Sequence, residues 1–149
     1  MLSSNGTCYG CGSNKHHRLG LDKEQDYLLP QKIPGLVAIT TVCCFLLKVA
    51  CGLWHSLVLN SSGKVFSCGY NKKGELGLGH KEPVNHFTML PSLEDVRAIN
   101  AGKSVSGFIL ADGKILSCGG VPMTGHTKDT AKPTQLKAPE SGIAIDCGT

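Results

Sequence analysis

The sequence repeats itself at a spacing of 50 residues, and this constrains the fold more than any other feature. The segments from Gly52 to Gly69 and from Gly102 to Gly119 share seven identical residues. Self-similarity at a fixed period of this length is typical of architectures in which each unit buries an apolar face against its neighbours. The identical pairs are Gly52/Gly102, Ser56/Ser106, Gly63/Gly113, Lys64/Lys114, Ser67/Ser117, Cys68/Cys118 and Gly69/Gly119.

An earlier copy of the unit lies at a shift of 57 residues. The segment from Gly6 to Leu21 aligns with the segment from Gly63 to Leu78, which places Gly12 at the position of Gly69. The chain therefore divides into units at about residues 1–47, 48–97 and 98–149. An apolar insertion of seven residues lies within residues 37–48 of the first unit.

Each unit has the pattern of short strands joined by tight turns. The runs 55–60 and 64–68 are rich in apolar and β-branched residues and flank a Ser-Ser-Gly turn, which is the signal of a β-hairpin. The runs 48–51, 98–101 and 143–147 predict a further, inner strand at the start of each blade. Three or four short strands per unit predict an all-β fold of small antiparallel sheets arranged radially.

The middle unit resembles the repeat of the regulator of chromosome condensation family. The resemblance implies a β-propeller, of which a full ring takes about seven blades. It points more weakly to the secretion-regulating guanine nucleotide exchange factor branch. The residues that carry it are Val49-Ala50-Cys51-Gly52, His55-Ser56, Gly63, Cys68-Gly69-Tyr70-Asn71 and Gly74-Glu75-Leu76-Gly77-Leu78-Gly79.

The flanking units depart from this pattern. His17 and Arg18 stand where the middle unit has Gly74 and Glu75, and Val105 stands at the position of the repeat histidine. About three units would make a single, incomplete propeller domain over residues 1–149. We therefore expect a fragment, a truncated isoform or half of an assembly, which further blades or a second copy would complete.

We predict that the repeat positions are structural. Gly63 and Gly113 fit hairpin turns with positive φ, and a repeat histidine at a strand start is expected to hydrogen-bond the backbone of the neighbouring blade. The glycines after Asn71 do not make a dinucleotide fingerprint, because no helix pattern follows them. The predicted structural positions are Gly6, Gly12, Gly52, His55, Gly63, Gly69, Asn71, Gly74, Leu76, Gly77, Gly102, Gly113, Gly119 and Gly148.

The chain has 8 cysteines, and two of them raise the question of a metal site. Cys8 and Cys11 form a C-x-x-C with two histidines nearby, which is a ligand spacing that zinc uses. However, Cys11 occupies the repeat position of Cys68 and Cys118, which have no such partner. We therefore predict buried reduced thiols that fill apolar space, and neither a metal nor a cofactor, with a zinc-binding module as the less favoured alternative.

Charge and hydropathy exclude other classes of partner. The net charge of +4 is small and its basic residues are scattered, which disfavours a nucleic-acid-binding face. The apolar stretch from Leu36 to Leu59 is interrupted by Lys48 and by polar repeat residues, so we do not predict a transmembrane helix. The N-terminal residues lack the pattern of a signal peptide, and we expect a cytoplasmic or nuclear location.

No catalytic Ser/His/Asp set can be assembled from the sequence. We therefore predict a non-enzymatic protein interaction module, in which loops present a face to a partner. The alternative is guanine nucleotide exchange on a small GTPase, an activity known for some members of the family that the sequence resembles. Such an activity would operate by differential binding and would need no covalent chemistry.

Overall fold

The computed structural model describes residues 7–36, 46–122 and 124–136. Within them lie ten β-strands and one short 3₁₀ turn at Lys15–His17. The strands are β1 (Tyr9–Ser13), β2 (Asp26–Lys32), β3 (Leu46–Cys51), β4 (His55–Asn60), β5 (Val65–Gly69), β6 (Val84–Met89), β7 (Val96–Ala101), β8 (Val105–Leu110), β9 (Ile115–Gly119) and β10 (Thr130–Gln135).

The strands form three antiparallel sheets in chain order. Two sheets have four strands each, β3-β4-β5-β6 and β7-β8-β9-β10, and the third is the pair β1-β2. The repeat is preserved in the hydrogen-bond register, since His55 opposes Gly69 as Val105 opposes Gly119. The innermost strands β3 and β7 contact each other, so the two complete sheets are neighbouring blades.

This arrangement confirms the predicted all-β, partial propeller. The hairpin of the middle unit is β4 and β5, and the predicted inner strands at 48–51 and 98–101 are β3 and β7, each begun two residues earlier. The predicted strand at 143–147, Gly6, Gly148 and residues 37–45 of the apolar insertion lie outside the described residues.

Strand β4 is buried on both faces because its sheet lies between the two other sheets. Leu57 and Leu59 belong to an apolar core shared with the sheet β7-β8-β9-β10, whereas Val58 belongs to a core shared with the pair β1-β2. Each of these side chains is at most 1% exposed, and burying one contributes about 1.5–3 kcal/mol. The middle blade therefore holds the other two units together.

The two cores draw their side chains from different sheets. Phe108 and Ile99 fill the core between the complete blades, and both are fully buried. The core between the first and middle units is smaller, and Phe66 and Phe87 close its side. Its buried members are Cys8, Leu21, Ile33, Leu36 and Val58.

The apolar stretch from Leu36 to Leu59, which was considered above as a possible membrane segment, forms β-strands in its second half. Residues 46–51 and 55–59 belong to β3 and β4, and both strands pair within the middle blade. Residues 37–45 are not described. Across the described ranges, no helix is long and apolar enough to cross a membrane.

The repeat glycine at or next to the end of β1, β5 and β9 has a positive φ in all three units. Its φ is +95° at Gly12, +112° at Gly69 and +115° at Gly119. A β-carbon at Gly69 would lie 2.5 Å from the Trp54 carbonyl oxygen and 2.8 Å from the His55 Cα. Gly69 therefore permits close approach of strands within its own blade.

We predict that Gly69→Ala destabilises the protein more than Gly12→Ala does. Both substitutions force alanine into a left-handed conformation, at a cost of about 1–2 kcal/mol. Gly69→Ala also drives a methyl group into backbone atoms that cannot yield, so its total cost should reach about 3 kcal/mol.

Gly12 is the matched control, because no described atom lies within 4 Å of a β-carbon built there. Urea unfolding of the two variants measures the difference. Equal losses would show that conformational strain alone requires the glycine.

Candidate functional site

Successive units are joined through a backbone carbonyl oxygen, which accepts two hydrogen bonds from side chains of the next blade. At the first junction, the Ser56 hydroxyl donates to the Arg18 carbonyl oxygen at 2.6 Å. The Cys68 thiol donates to the same oxygen at 3.7 Å. The repeat cysteine thus acts as a weak donor as well as a filler, and burial raises the pKa of its thiol.

The second junction repeats the same contacts one unit later. Ser106 donates to the Glu75 carbonyl oxygen at 2.6 Å, and the Cys118 thiol donates to it at 3.5 Å. Glu75 stands at the repeat position of Arg18. The serine and the cysteine that donate are identical in the two units, so the repeated sequence itself produces this junction.

His55 adds a third group to the second junction. Its Nε2 lies 2.9 Å from the Ser106 hydroxyl, a side chain of the neighbouring blade and not a backbone group as the sequence predicted. The Ser106 proton is used on the Glu75 carbonyl, so His55 must carry its proton on Nε2 and donate it. Its Nδ1 is buried and has no partner among the described residues. Burial accordingly lowers the pKa of His55 to about 4.

Asparagines hold the loops that follow the hairpins. The Asn71 amide donates to the carbonyls of His80 and Glu82, both at 2.9 Å, and its oxygen accepts from the Leu76 backbone at 2.9 Å. Asn14 brackets the corresponding loop of the first unit in the same way. Both asparagines are fully buried, so each long loop is fixed from inside.

These loops meet at one end of the blades, which we call the loop face. It consists of the connections 14–25, 52–54, 70–83 and 102–104, together with residues 120–122 and 124–129. A cavity of about 440 Å³ opens there between the inner strands of the two complete blades. Leu53, 41% exposed, stands at its rim. The cavity is lined by Cys51, Gly52, Leu53, Ala101, Gly102 and Lys103.

An aromatic–cation cluster lies beside this cavity and consists of Lys15, His16, Arg18, Trp54 and Tyr70. The Arg18 guanidinium carbon is 4.7 Å from the centre of the Trp54 ring, and the Lys15 ammonium is 5.6 Å from it. The His16 ring stands edge-on to Trp54 at 5.0 Å and contacts Tyr70 at 5.2 Å. Single-sequence reasoning missed this cluster, because its members come from three separate loops.

The cysteines only partly fit the prediction of buried fillers. Cys8, Cys68 and Cys118 are buried, but Cys11 and Cys51 are exposed. Cys11 differs from its repeat equivalents because no preceding unit covers it within the described residues. Cys8, Cys11 and Cys51 are among the residues that line a cavity of about 170 Å³. Within the described part of the chain, however, no three metal-binding side chains lie close enough together to hold one metal ion.

The described residues do not form a catalytic constellation. His55 and Ser106 are hydrogen-bonded, but both are at most 1% exposed and no substrate could reach them. The carboxylates of Asp112 and Glu94 are exposed and pair with Lys114 and Lys64. The arrangement favours recognition by a surface over covalent chemistry.

We predict that protonation of His55 drives acid destabilisation. An unfolded histidine binds a proton near pH 6.5, whereas folded His55 does so only near pH 4. The histidine's contribution is therefore complete above pH 6.5 and is lost as the pH falls toward 4. Over this range the free energy of unfolding should fall by about 3 kcal/mol.

Urea unfolding of the wild type and of His55→Gln between these pH values measures this contribution. Glutamine keeps an N–H donor but does not titrate, so its stability should fall less steeply. The buried Glu75 carboxyl, whose pKa is raised by burial, is common to both proteins and cancels in the difference. Parallel pH profiles would contradict the assignment.

Comparison with known families identifies the repeat. The family model described as "Regulator of chromosome condensation (RCC1) repeat" matches residues 5–59 and 62–109. A second model of the same description matches residues 47–75. These matches cover most of the chain and include both blade junctions.

The chain is also similar to individual proteins, though to only part of each. It is 32% identical over 120 residues to the mouse secretion-regulating guanine nucleotide exchange factor, covering 79% of this chain and 25% of that protein. It is 29% identical over 140 residues to the Xenopus laevis regulator of chromosome condensation, covering 91% of this chain and 32% of that one.

The fold also matches solved structures. The crystal structure of Prp20p from Saccharomyces cerevisiae superposes with a TM-score of 0.83 at 21% identity, over 99% of this chain and 39% of that one. Binding properties of Prp20p to Gsp1p and histones are described together with that structure. The family models, together with the repeated blade junctions, establish that this chain belongs to the regulator of chromosome condensation (RCC1) repeat family.

Proposed function

We propose that the protein is a non-enzymatic interaction module that binds a partner protein through its loop face. The observation that supports this proposal most directly is the cavity of about 440 Å³ between the inner strands β3 and β7, with exposed Leu53 at its rim. A concave apolar site ringed by polar groups is the usual form of a binding pocket. A partner side chain that filled it would bury apolar area on both proteins.

The loop face suits recognition because its shape is fixed before binding. Buried Asn14 and Asn71 bracket the two long loops from inside, and the Leu53 amide donates to the Gly102 carbonyl of the next blade at 3.3 Å. A surface ordered in advance loses little conformational entropy on association. The same rigidity requires neighbouring blades, so we propose that further blades or a second copy complete the ring.

We predict that Leu53→Asp abolishes capture of the partner. The substitution places a charge at the rim of the cavity, where a docked side chain would desolvate it. Met89→Asp is the matched control, because Met89 is 46% exposed but lies on the outer strand β6.

The two variants and the wild type would be immobilised and compared for proteins retained from a cell extract. Proteins held by the wild type and by Met89→Asp but lost with Leu53→Asp bind through the loop face. Equal retention on all three surfaces would contradict this use of the face.

The second candidate is guanine nucleotide exchange on a small GTPase. It is favoured by the similarity to the mouse secretion-regulating exchange factor, of which this chain spans about a quarter. An exchange factor stabilises the nucleotide-free GTPase, and so it needs a complementary surface and no catalytic side chain. The loop face would be that surface.

Release of labelled GDP from Ran, Rab and Rho-type GTPases tests this candidate. We expect acceleration of one member of the panel, which Leu53→Asp removes and Met89→Asp retains. A flat response across the panel, together with Leu53-dependent capture of other proteins, would leave the interaction module without exchange activity.

A further inference from the structure

We infer that the aromatic–cation cluster of Lys15, His16, Arg18, Trp54 and Tyr70 binds an acidic segment of the partner protein. The inference rests on the proposed function and specifies its partner. Lys15 and Arg18 carry the charge of the cluster, and neither forms an ion pair with another described residue. Lys72 and Lys103, two further cations of the loop face, also form no ion pair with a described residue. These cations are therefore not held in ion pairs by the described residues, although Glu24 offsets part of the charge of Lys15.

The cluster results from departures of the first unit from its own repeat. Arg18 replaces the buried Glu75 of the middle unit, and its side chain turns outward onto Trp54. At the second junction the positions of Trp54 and Tyr70 are taken by Ser104 and Gly120. These two equivalent positions carry no ring, so the cluster is not a requirement of blade packing.

The backbone beneath the cluster is strained. His16 and His17 adopt left-handed conformations, with φ of 59° and 57°. The repeat places Gly74 at the position of His17, where this conformation costs nothing. Residues kept in such conformations cluster at functional sites, because the surrounding structure must hold them there. Here the strain presents His16 between the rings of Trp54 and Tyr70.

Arg18 is positioned to receive a carboxylate. Its Nε donates to the Lys15 carbonyl and its Nη1 to the Leu53 carbonyl, both at 3.0 Å. A guanidinium has five N–H donors, so three remain for a ligand, and the group is held in place before binding. A fixed guanidinium matches the geometry of a carboxylate with two parallel hydrogen bonds.

The chemistry of the cluster favours a peptide over a nucleic acid. Stacking of bases needs free ring faces, whereas Trp54 is already contacted by Arg18, Lys15 and His16. Glu24 does not compete for Arg18, because it is engaged by the His16 backbone at 2.6 Å and by its ring.

The experiment uses the intrinsic fluorescence of Trp54, which is the only tryptophan of the chain. The protein would be titrated with a synthetic peptide of glutamates around a central leucine. Controls are the same peptide with lysines in place of glutamates, and an oligothymidine. We expect a saturable change in Trp54 emission with the glutamate peptide alone, weakened as salt shortens the Debye length from about 10 Å at 0.1 M to about 3 Å at 1 M.

Three charge reversals locate the binding. Arg18→Glu should weaken the glutamate peptide about tenfold or more, and Lys15→Glu severalfold, since charge-assisted hydrogen bonds are lost. Lys114→Glu carries the same charge change on the opposite end of the blades and should leave binding within about twofold. Circular dichroism establishes that each variant is folded. Lys15 is exposed, and its side chain reaches the middle blade only through the Trp54 ring in the contacts described above, so its variant guards against loss of the Arg18 variant.

The inference is overturned if the lysine peptide or the oligothymidine binds as tightly as the glutamate peptide, or if both cluster variants bind like the wild type. Its failure is distinct from failure of the proposed function. Leu53-dependent capture without glutamate-peptide binding would leave the interaction module standing and remove its acidic partner. Loss of both results would remove the two together.

Discussion

A backbone carbonyl at each junction between units is the constraint on which the rest of the structure depends. The Arg18 carbonyl is partly buried and the Glu75 carbonyl is buried, and the next blade supplies the hydrogen-bond donors that satisfy each of them. Ser56, at the start of β4, and Ser106, at the start of β8, donate their hydroxyl protons to these carbonyls. The blades are thereby set in register with each other, and the apolar cores on both faces of β4 can close only in that register.

The same constraint explains why so much of the fold is readable from the sequence. The pairs Ser56/Ser106, Cys68/Cys118 and Gly69/Gly119 meet equivalent neighbours in the middle and third units, so self-similarity reports these contacts directly. The strands β3, β4, β5 and β7 follow from that pattern. The partner of His55 does not follow, because the repeat replaces this histidine by Val105 and gives no second example of its contact.

The candidate site was less predictable for a physical reason. Its side chains lie on three loops of the first and middle units, where the chain departs from the repeat. Those departures, at His17 and Arg18, were visible in the sequence as weakened similarity. Only the structure shows that the outward Arg18 side chain meets Trp54 while its carbonyl still joins the blades.

Arg18 thus serves two roles through different atoms. The carbonyl oxygen, conserved in position at Glu75, belongs to the blade junction, which the backbone supplies whatever the side chain is. The side chain is therefore free to change without loss of the junction. A repeat that assembles through backbone acceptors can vary its loop-face side chains from unit to unit, and the cluster beside the cavity is one such variation on a fixed frame.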